Sequence, residues 1–375
     1  EPISFRPPSS WEQLSRFYRS NKAIARTAAA VTSSLVFGFC LALWGIGEAW
    51  TAREKLSDKV QQLEETTKEL KRERIAFAKT YFYTNLWRGD FRTASEMLDQ
   101  AQKLKDDPRW HQNAIAMLKR FQGQTEEARQ QVNVVLGNAP NDVFARALMA
   151  MLDYWDGNEA AFIETLTSLR KESLESLTFD EKMMVAYAYS HPYPKDAIAL
   201  LNELEKQQPN FPIIRLLRAS AFRYLAVQCL EASDAFKNIQ NAIRDLEFVQ
   251  GPLKGSAFAA HVLIMTHLHA QNICSELARL DRANEEQWNQ RAEEFENLAR
   301  HYGQDEDWLV ENPESLWAVT LLYKQLNENK RFDDLVENLS SLSSHPYVSH
   351  LVSLRHLENN QVDAALKVLA ESNNY

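Results

Sequence analysis

The chain has 375 residues, which allows one membrane segment with one large or two small domains, and it carries a formal net charge of −9. This acidic balance argues against nucleic acid as a partner, because the phosphate backbone is itself negative. With only 10 glycines and 12 prolines, and no alternating apolar and polar runs broken by hairpin signals, the sequence predicts an all-α fold.

Residues 1–26 form a basic segment that precedes a long uncharged run. They hold five Arg or Lys against two Glu, and residues 27–47 hold no charged side chain at all. A helix over this run extends about 31 Å, the thickness of a bilayer's hydrocarbon core. Because basic flanks stay in the cytoplasm, we predict a single transmembrane helix at 27–50 of the inner membrane, with 1–26 cytoplasmic and the body extracytoplasmic. A cleaved signal peptide and a buried core helix are the alternatives.

Residues 51–79 are rich in Glu, Lys, Arg and Gln and predict a short coiled-coil stalk. Leucines recur there at intervals of seven, the spacing of one heptad core position, and small residues recur at intervals of four within the span. Both patterns together predict a parallel homodimer. The alternative is a lone helix whose leucine stripe docks on the following domain. The predicted dimer seam comprises Gly38, Ala42, Leu56, Leu63 and Leu70.

From residue 80 the chain repeats with a period of 34 residues. Gly89, Gly123 and Gly157 mark the period, and Ala94 and Ala128 follow the first two glycines by five positions. A glycine that ends one helix and a small residue that lets the next helix pack closely describe a helix–turn–helix unit. The period and these positions resemble tetratricopeptide (TPR) repeats, which implies an α-solenoid.

We therefore predict TPR-like repeats over residues 80–220, with about three units between 80 and 175 and another that ends near Pro209. Residues 221–375 break the period and predict longer helices that continue the same superhelix. A separate helical domain is the alternative. The longer stretches are Ser233–Val249, Ser256–Asn272 and Glu285–Arg300.

The residue types that carry chemistry in enzymes form no familiar motif. The sequence lacks a glycine-rich phosphate loop, a Gly-x-Ser-x-Gly elbow and a His-Glu-x-x-His motif. His267 and His269 are two residues apart, on nearly opposite sides of a helix, and so make a poor metal pair. Cys229 and Cys274 are expected to be free buried thiols, with a disulfide as the alternative. We expect no catalytic, metal or cofactor site within this chain.

A solenoid of this kind is expected to bind a protein or peptide partner in its concave groove. Polar positions on the first helices of the clearer repeats are the candidates, by analogy with that fold. The alternative is that they are ordinary solvated helix residues. The predicted groove residues are Asn85, Gln112, Lys119, Arg146 and Asp153.

The N-terminal segment carries a second resemblance. The chain begins at Glu1 rather than at a methionine, from which we expect a fragment or a processed product. A proline-containing linker, EPISFRPPSSW, is followed by LSRFYRSNK and then by the uncharged run. Over roughly residues 1–55 this order resembles the segment just downstream of the catalytic domain in bacterial membrane-anchored serine/threonine protein kinases.

The resemblance implies a kinase domain upstream of Glu1, because this chain has no kinase signature of its own. It lacks the glycine-rich ATP loop, Val-Ala-Ile-Lys, His-Arg-Asp and Asp-Phe-Gly, so no catalytic residue is carried over. The predicted function is the membrane-anchored sensor region of such a kinase, in which TPR-like repeats bind a protein or peptide outside the membrane. The alternatives are a stand-alone membrane-tethered TPR-like scaffold without a kinase domain and an unrecognised enzyme.

Overall fold

The computed structural model describes residues 9–172, 174, 176–254, 256–303, 313–326, 328–342, 346–358 and 361–372. Every regular element among them is helical and none is a strand, so the predicted all-α fold is confirmed. The chain divides into two compact units, Glu1–Glu73 and Arg74–Tyr375. The helices are α1 (Ser10–Ser20), α2 (Lys22–Arg88), α3 (Phe91–Lys103), α4 (Pro108–Phe121), α5 (Thr125–Asn138), α6 (Val143–Trp155), α7 (Glu159–Arg170), α8 (Phe179–Tyr189), α9 (Pro194–Gln207), α10 (Pro212–Val227), α11 (Ala232–Val249), α12 (Ala257–Leu280), α13 (Glu285–Gly303), α14 (Pro313–Gln325), α15 (Asn329–Leu342), α16 (Pro346–Glu358) and α17 (Val362–Ser372).

Helix α1 begins with a complete N-terminal cap. The Ser9 hydroxyl accepts a hydrogen bond from the Glu12 backbone N–H at 3.3 Å, and the Glu12 carboxylate accepts one from the Ser9 N–H at 3.1 Å. This reciprocal capping box satisfies two backbone donors at the helix start. The helix ends before Asn21, whose φ of −127° and ψ of 51° are not helical. A one-residue break therefore separates α1 from α2.

The first part of α2 exposes the uncharged run to solvent along its whole length. Among the described residues, α2 is the one helix that is long and apolar enough to cross a membrane, judged by length and composition alone. The hydroxyls of Thr27, Thr32 and Ser34 each donate to the backbone carbonyl four residues earlier, at 2.9 to 3.0 Å. These hydroxyls therefore have internal partners, as a lipid environment requires. The membrane-spanning role stays a prediction.

The predicted seam is exposed in the first unit. Gly38 and Ala42 lie on the uncharged part of α2, and the three stalk leucines follow them on the same helix. All five positions are accessible, so residues 9–73, the described part of the first unit, supply no partner for the leucine stripe. The coiled coil and the homodimer stay predictions.

In the second unit, the three period glycines end their helices with the same geometry. Each glycine N–H donates to the carbonyl three residues before it at 3.0 to 3.1 Å, and the next N–H donates to the carbonyl five residues before it at 2.8 to 2.9 Å. This pair of bonds is the Schellman motif, which requires a left-handed residue that glycine adopts without steric cost. The helical-hairpin period is confirmed at these turns. The φ angles are +81° at Gly89, +79° at Gly123 and +78° at Gly157.

Small residues let the paired helices approach each other. Ala94 and Ala128, in the first turns of α3 and α5, are completely buried, as are Ala116 and Ala150 on α4 and α6. The first helices of successive hairpins also pack on one another: α4 on α6, α6 on α8, α8 on α10, and α10 on α12. One hydrophobic core extends from the end of α2 to the start of α12.

The later helices are longer and less regular. Helices α11, α12 and α13 have 18, 24 and 19 residues, whereas α3 to α10 have 11 to 16. A second hydrophobic core joins α12 and α13 to α14, α15 and α16. Helices α14 to α17 pack mainly as sequential neighbours.

Candidate partner-binding surface

The predicted groove residues of α2 and α4 have partners within the chain. Asn85 is buried, and its side-chain amide donates to the Tyr81 carbonyl at 2.8 Å. Lys119 forms an ion pair with Glu127 of the second helix of its own hairpin. Gln112 is half-buried on α4. These contacts stabilise single helices or single hairpins.

The two predicted residues of α6 join that helix to its neighbours. The Arg146 guanidinium donates to Glu172 at 2.5 Å and to the Ser168 hydroxyl at 3.0 Å. The buried Asp153 accepts from Arg129 of the preceding hairpin at 2.8 Å. Within the described part of the chain, no hydrogen bond or ion pair links any two of the five predicted groove residues. Their role in a groove stays a prediction.

An aromatic residue stands two positions before each period glycine, and the sequence reasoning did not use it. Trp87, Phe121 and Trp155 are 34 residues apart, and Tyr189 follows after another 34. The ring centroids of Trp87 and Phe121 are 4.9 Å apart in an edge-to-face arrangement. The signal was available, since these rings recur with the same step as the glycines.

Trp87 connects helices that are distant in sequence. Its ring centroid lies 5.1 Å from that of Tyr187 at the end of α8 and 4.7 Å from that of Phe258 at the start of α12. The Ser256 hydroxyl donates to the Trp87 backbone carbonyl. Because Trp87 also contacts Phe121 of α4, the end of α2 meets three other first helices around one buried side chain.

A second aromatic group joins α6, α8 and α10. The His191 ring centroid lies 5.4 Å from Tyr154 and 4.7 Å from Tyr224. On the other side of α6, the Arg120 guanidinium lies 4.6 Å from the ring centroid of Trp155. Tyr154, Trp155, His191 and Tyr224 are half-buried, so this group combines flat apolar surface with polar side-chain atoms.

A partly buried ionic cluster ties the first hairpin to α8. The Lys79 ammonium lies 3.1 Å from Asp106 and 3.2 Å from Asp180, and 4.4 Å from the ring centroid of Trp110. The Trp110 indole N–H donates to the Tyr83 hydroxyl at 3.0 Å. Burial raises the pKa of Asp180 despite the opposing charge of Lys79, and burial also raises the pKa of Tyr83 well above its usual value. The cluster is an internal connection rather than a binding site, because its charges pair with one another.

Near the second aromatic group, two histidines have depressed pKa values. Burial, and after it the positive charge of Arg223, lowers the pKa of His191 and lowers that of His269 to about 3. Cys229 and Cys274 are free thiols, and burial raises the pKa of Cys274 to about 11. No group of three or more metal-ligating side chains occurs among the described residues.

Comparison with known proteins gives only distant likenesses. No protein-family model matches the chain, and no curated protein matches it. A tetratricopeptide repeat protein from Parabacteroides merdae ATCC 43184 is 14% identical over 80% of this chain and 93% of its own, with a TM-score of 0.35. Yeast Tom70 is 12% identical over 80% of this chain and 85% of its own, with a TM-score of 0.22. The description of the repeats therefore rests on the helices and glycine turns of this chain itself.

Proposed function

We propose that the second unit binds an extended protein or peptide partner along its first helices. The observation that carries this proposal is the packing of each first helix from α4 to α12 on the next. Such packing forms one continuous surface, which is how helical-repeat proteins bind extended partners. The half-buried Tyr154, Trp155 and Tyr224 supply the side-chain types that are enriched in protein interfaces.

Site-specific photo-crosslinking tests the binding surface. A photoreactive residue in place of Trp155 or Tyr224 of the full chain, in its native membrane, should capture a discrete partner. The same residue in place of the exposed Val134, on the second helix α5, is the control and should capture none. Equal capture at all three positions would contradict the proposal. The double variant Lys119→Glu with Arg146→Glu tests the predicted groove residues. Loss of capture would support Lys119 and Arg146 as contacts to the partner, and unchanged capture would exclude them.

We also propose that α2 anchors the chain in the inner membrane, with residues 1–26 in the cytoplasm. The uncharged run, the basic residues that precede it and the internally bonded hydroxyls support this orientation. Alkaline extraction should leave the full chain in the membrane fraction, and protease added to spheroplasts should digest the body. A body that is protected until the cells are lysed would contradict the orientation.

Attachment to a serine/threonine kinase is the finer proposal, and it rests on the resemblance of residues 1–55. In this form the chain is the membrane and extracytoplasmic part of the kinase, and partner binding outside the membrane regulates a catalytic domain inside. The coding sequence upstream of Glu1 tests it. An in-frame kinase domain supports the proposal, and a start or stop codon in its place leaves the tethered scaffold.

A parallel homodimer would let such a signal cross the membrane. The exposed leucine stripe of the stalk and the small residues of the span support this arrangement. Single cysteines in place of Leu63 and Leu70 should form disulfide-linked dimers on mild oxidation of native membranes. A cysteine in place of the neighbouring Glu64 is the control, and absence of crosslinks at positions 63 and 70 would exclude the dimer.

A further inference from the structure

Arg223 on α10 is a buried cation without a counter-ion. The residue is 4% exposed, and its Nε atom is buried without a hydrogen-bond partner. In the described part of the chain it forms no hydrogen bond and no ion pair. Arg218, five residues earlier on the same helix, pairs with both Glu205 and Asp245. A buried guanidinium is costly unless an anion compensates it, so the missing partner of Arg223 needs an explanation.

Two histidines from other elements face the same region. The charge of Arg223 lowers the pKa of both His191, after α8, and His269, on α12. The Nδ1 atoms of both histidines are buried without a hydrogen-bond partner. Arg223 and His191 both contact the Tyr224 ring, and His269 lies on α12, which packs on α10. Both histidines are partly exposed as residues.

The surroundings favour a flat ligand group of single charge. The guanidinium carbon of Arg223 lies 4.1 Å from the ring centroid of Tyr224, and the His191 ring contacts Tyr224 and Tyr154. The one acidic side chain whose charge acts on His191 is Glu159, which is exposed and forms no ion pair with Arg223 in the described structure. One cation and two neutral imidazoles match the charge of a monoanion. A dianion would in addition be repelled more strongly by the net negative charge of the chain.

We propose that Arg223, with His191 and His269, binds a carboxylate of the partner peptide, from an acidic side chain or the C-terminus. The guanidinium fork matches the two oxygens of a carboxylate, and each neutral imidazole adds one N–H donor. This inference rests on the proposed peptide-binding function and names the anchoring group of the peptide.

Thermal unfolding of the full chain with acetate as the probe tests the site without any partner. At constant ionic strength, replacing 0.1 M chloride by acetate should raise the Tm by about 2 °C, since a ligand that binds only the folded state stabilises it. Arg223→Met should remove this response and leave the Tm in chloride unchanged or higher, because it removes an unpaired buried charge. Arg92→Met, at an exposed arginine, is the matched control and should keep the acetate response.

Three outcomes would overturn the site. The acetate response is absent, or it persists in Arg223→Met, or Arg223→Met lowers the Tm in chloride by several degrees, which would make Arg223 a structural residue. A larger response to 10 mM phosphate than to 0.1 M acetate would replace the carboxylate by a phosphate group and overturn the assignment. If the acetate test fails, the peptide-binding function is still tested independently by partner capture at Trp155 and Tyr224. An acetate response without any captured partner would count against the peptide function alone.

A different observation concerns α1, in the first unit. Trp11, Leu14, Phe17 and Tyr18 are each more than half exposed. At 3.6 residues per turn, they fall within an arc of about 120°, and Glu12, Arg16 and Arg19 lie on the opposite side. An isolated helix of 11 residues is marginal in water, so an apolar face of this width requires a partner to cover it.

We infer that this face lies in the cytoplasmic leaflet of the membrane, parallel to its surface. The uncharged run begins seven residues after α1 ends, and the non-helical Asn21 lets α1 leave the direction of α2. Arg16, Arg19 and the following Lys22 place positive charge at the level of anionic lipid headgroups. The inference rests on the proposed membrane anchor and assigns a lipid-binding role to the juxtamembrane segment.

Amide hydrogen exchange of the full chain in nanodiscs tests it. Amides of residues 10–20 should exchange about tenfold more slowly in discs of 70% phosphatidylcholine and 30% phosphatidylglycerol than in the detergent-solubilised chain. Leu14→Ser with Phe17→Ser should abolish this protection, whereas Gln13→Ala with Ser15→Ala should keep it. Fast exchange in every disc, or protection that survives the apolar double variant, would overturn the lipid contact. A chain that does not enter nanodiscs at all would instead contradict the membrane anchor.

Discussion

The first three repeat turns and the fourth reverse the chain by different means. Gly89, Gly123 and Gly157 do so in the left-handed region. His191 stands 34 residues after Gly157, but no left-handed residue occurs at this turn. Instead Ser190 has right-handed angles, with φ −53° and ψ −36°. The fourth turn thereby gains a side chain where the others have none, and this side chain is the imidazole beside Arg223. A departure from the repeat can thus place a titratable side chain at a turn where the other repeats have only glycine.

The largest expected effect concerns the aromatic row, which is the set of aromatic residues two positions before each of the four turns: Trp87, Phe121, Trp155 and Tyr189. Trp87→Ala removes the ring that contacts Phe121, Tyr187 and Phe258, and should lower the free energy of unfolding by about 3–5 kcal/mol. Urea unfolding of the full chain, followed by circular dichroism, measures the change. Trp11→Ala, at an exposed tryptophan, should leave it unchanged. A loss below 1 kcal/mol for Trp87→Ala would show that the row does not hold the helices together.

Depressed histidine pKa values, at His191 of the fourth turn and at His269 of α12, make the stability of the second unit depend on pH. The pKa of His269 is about 3 in the folded chain, whereas an unfolded histidine titrates near 6.5. The unfolded state therefore binds more protons between these values, and stability is full above pH 6.5 and falls as the pH decreases towards 3. We expect the free energy of unfolding to drop by about 2 kcal/mol between pH 7 and pH 5.

His269→Gln should make this pH profile shallower, because it removes one of the histidines whose pKa burial lowers, while His191 and His267 remain. His301→Gln, at an exposed histidine, is the control and should keep the slope of the unchanged chain. Urea unfolding at pH 7, 6 and 5 provides the comparison. An identical slope in all three proteins would mean that His269 is not held neutral by the fold.

Gly123→Ala tests the glycine turns directly. An added Cβ at this position meets no atom within 4 Å, so the expected cost comes from the φ of +79° alone. We expect a loss of about 1–2 kcal/mol in the free energy of unfolding. Gly137→Ala, inside α5 and also without a neighbour within 4 Å, should instead stabilise the chain by up to about 1 kcal/mol. The same sign for both variants would refute the backbone explanation.

His191→Gly should have the smallest effect, because it gives the fourth turn the residue of the first three. It removes edge contacts with Tyr154 and Tyr224, worth about 1 kcal/mol or less in total, and provides a turn residue with free choice of φ. Urea unfolding measures the difference from the unchanged chain. A loss as large as that of Gly123→Ala would mean that the imidazole is a structural residue first.

The repeat itself could be predicted from sequence, because its determinants are local. Gly123 and Ala128 act within one turn and one hairpin, so their spacing reveals their roles. The contact of Trp87 with Phe258 could not be predicted in this way. This contact depends on the small rotation between successive hairpins, which accumulates over five hairpins. The sequence of a single repeat does not encode that rotation. The same rotation determines that Arg223 lies near His269.

The groove residues show the limit of a prediction from position alone. Lys119 and Arg146 are polar and lie on first helices, as predicted. Lys119 pairs with Glu127 on the second helix α5, and Arg146 pairs with Glu172 just after the second helix α7. Such pairing depends on side-chain geometry that a repeat pattern does not encode. Arg223 was overlooked for the converse reason, since only the structure reveals that a cation in the middle of a helix has no partner.

The contacts of Trp87 have a consequence for how the second unit unfolds. In an array whose repeats touch only their neighbours, the ends open first and independently. Here the end of α2 contacts the start of α12. The hairpins between them therefore form a closed circuit of contacts, and none of these hairpins can unfold by itself without breaking that circuit. Helices α14 to α17, which pack mainly on sequential neighbours, lie outside this circuit. The unit should therefore melt as one cooperative block with a separately opening tail.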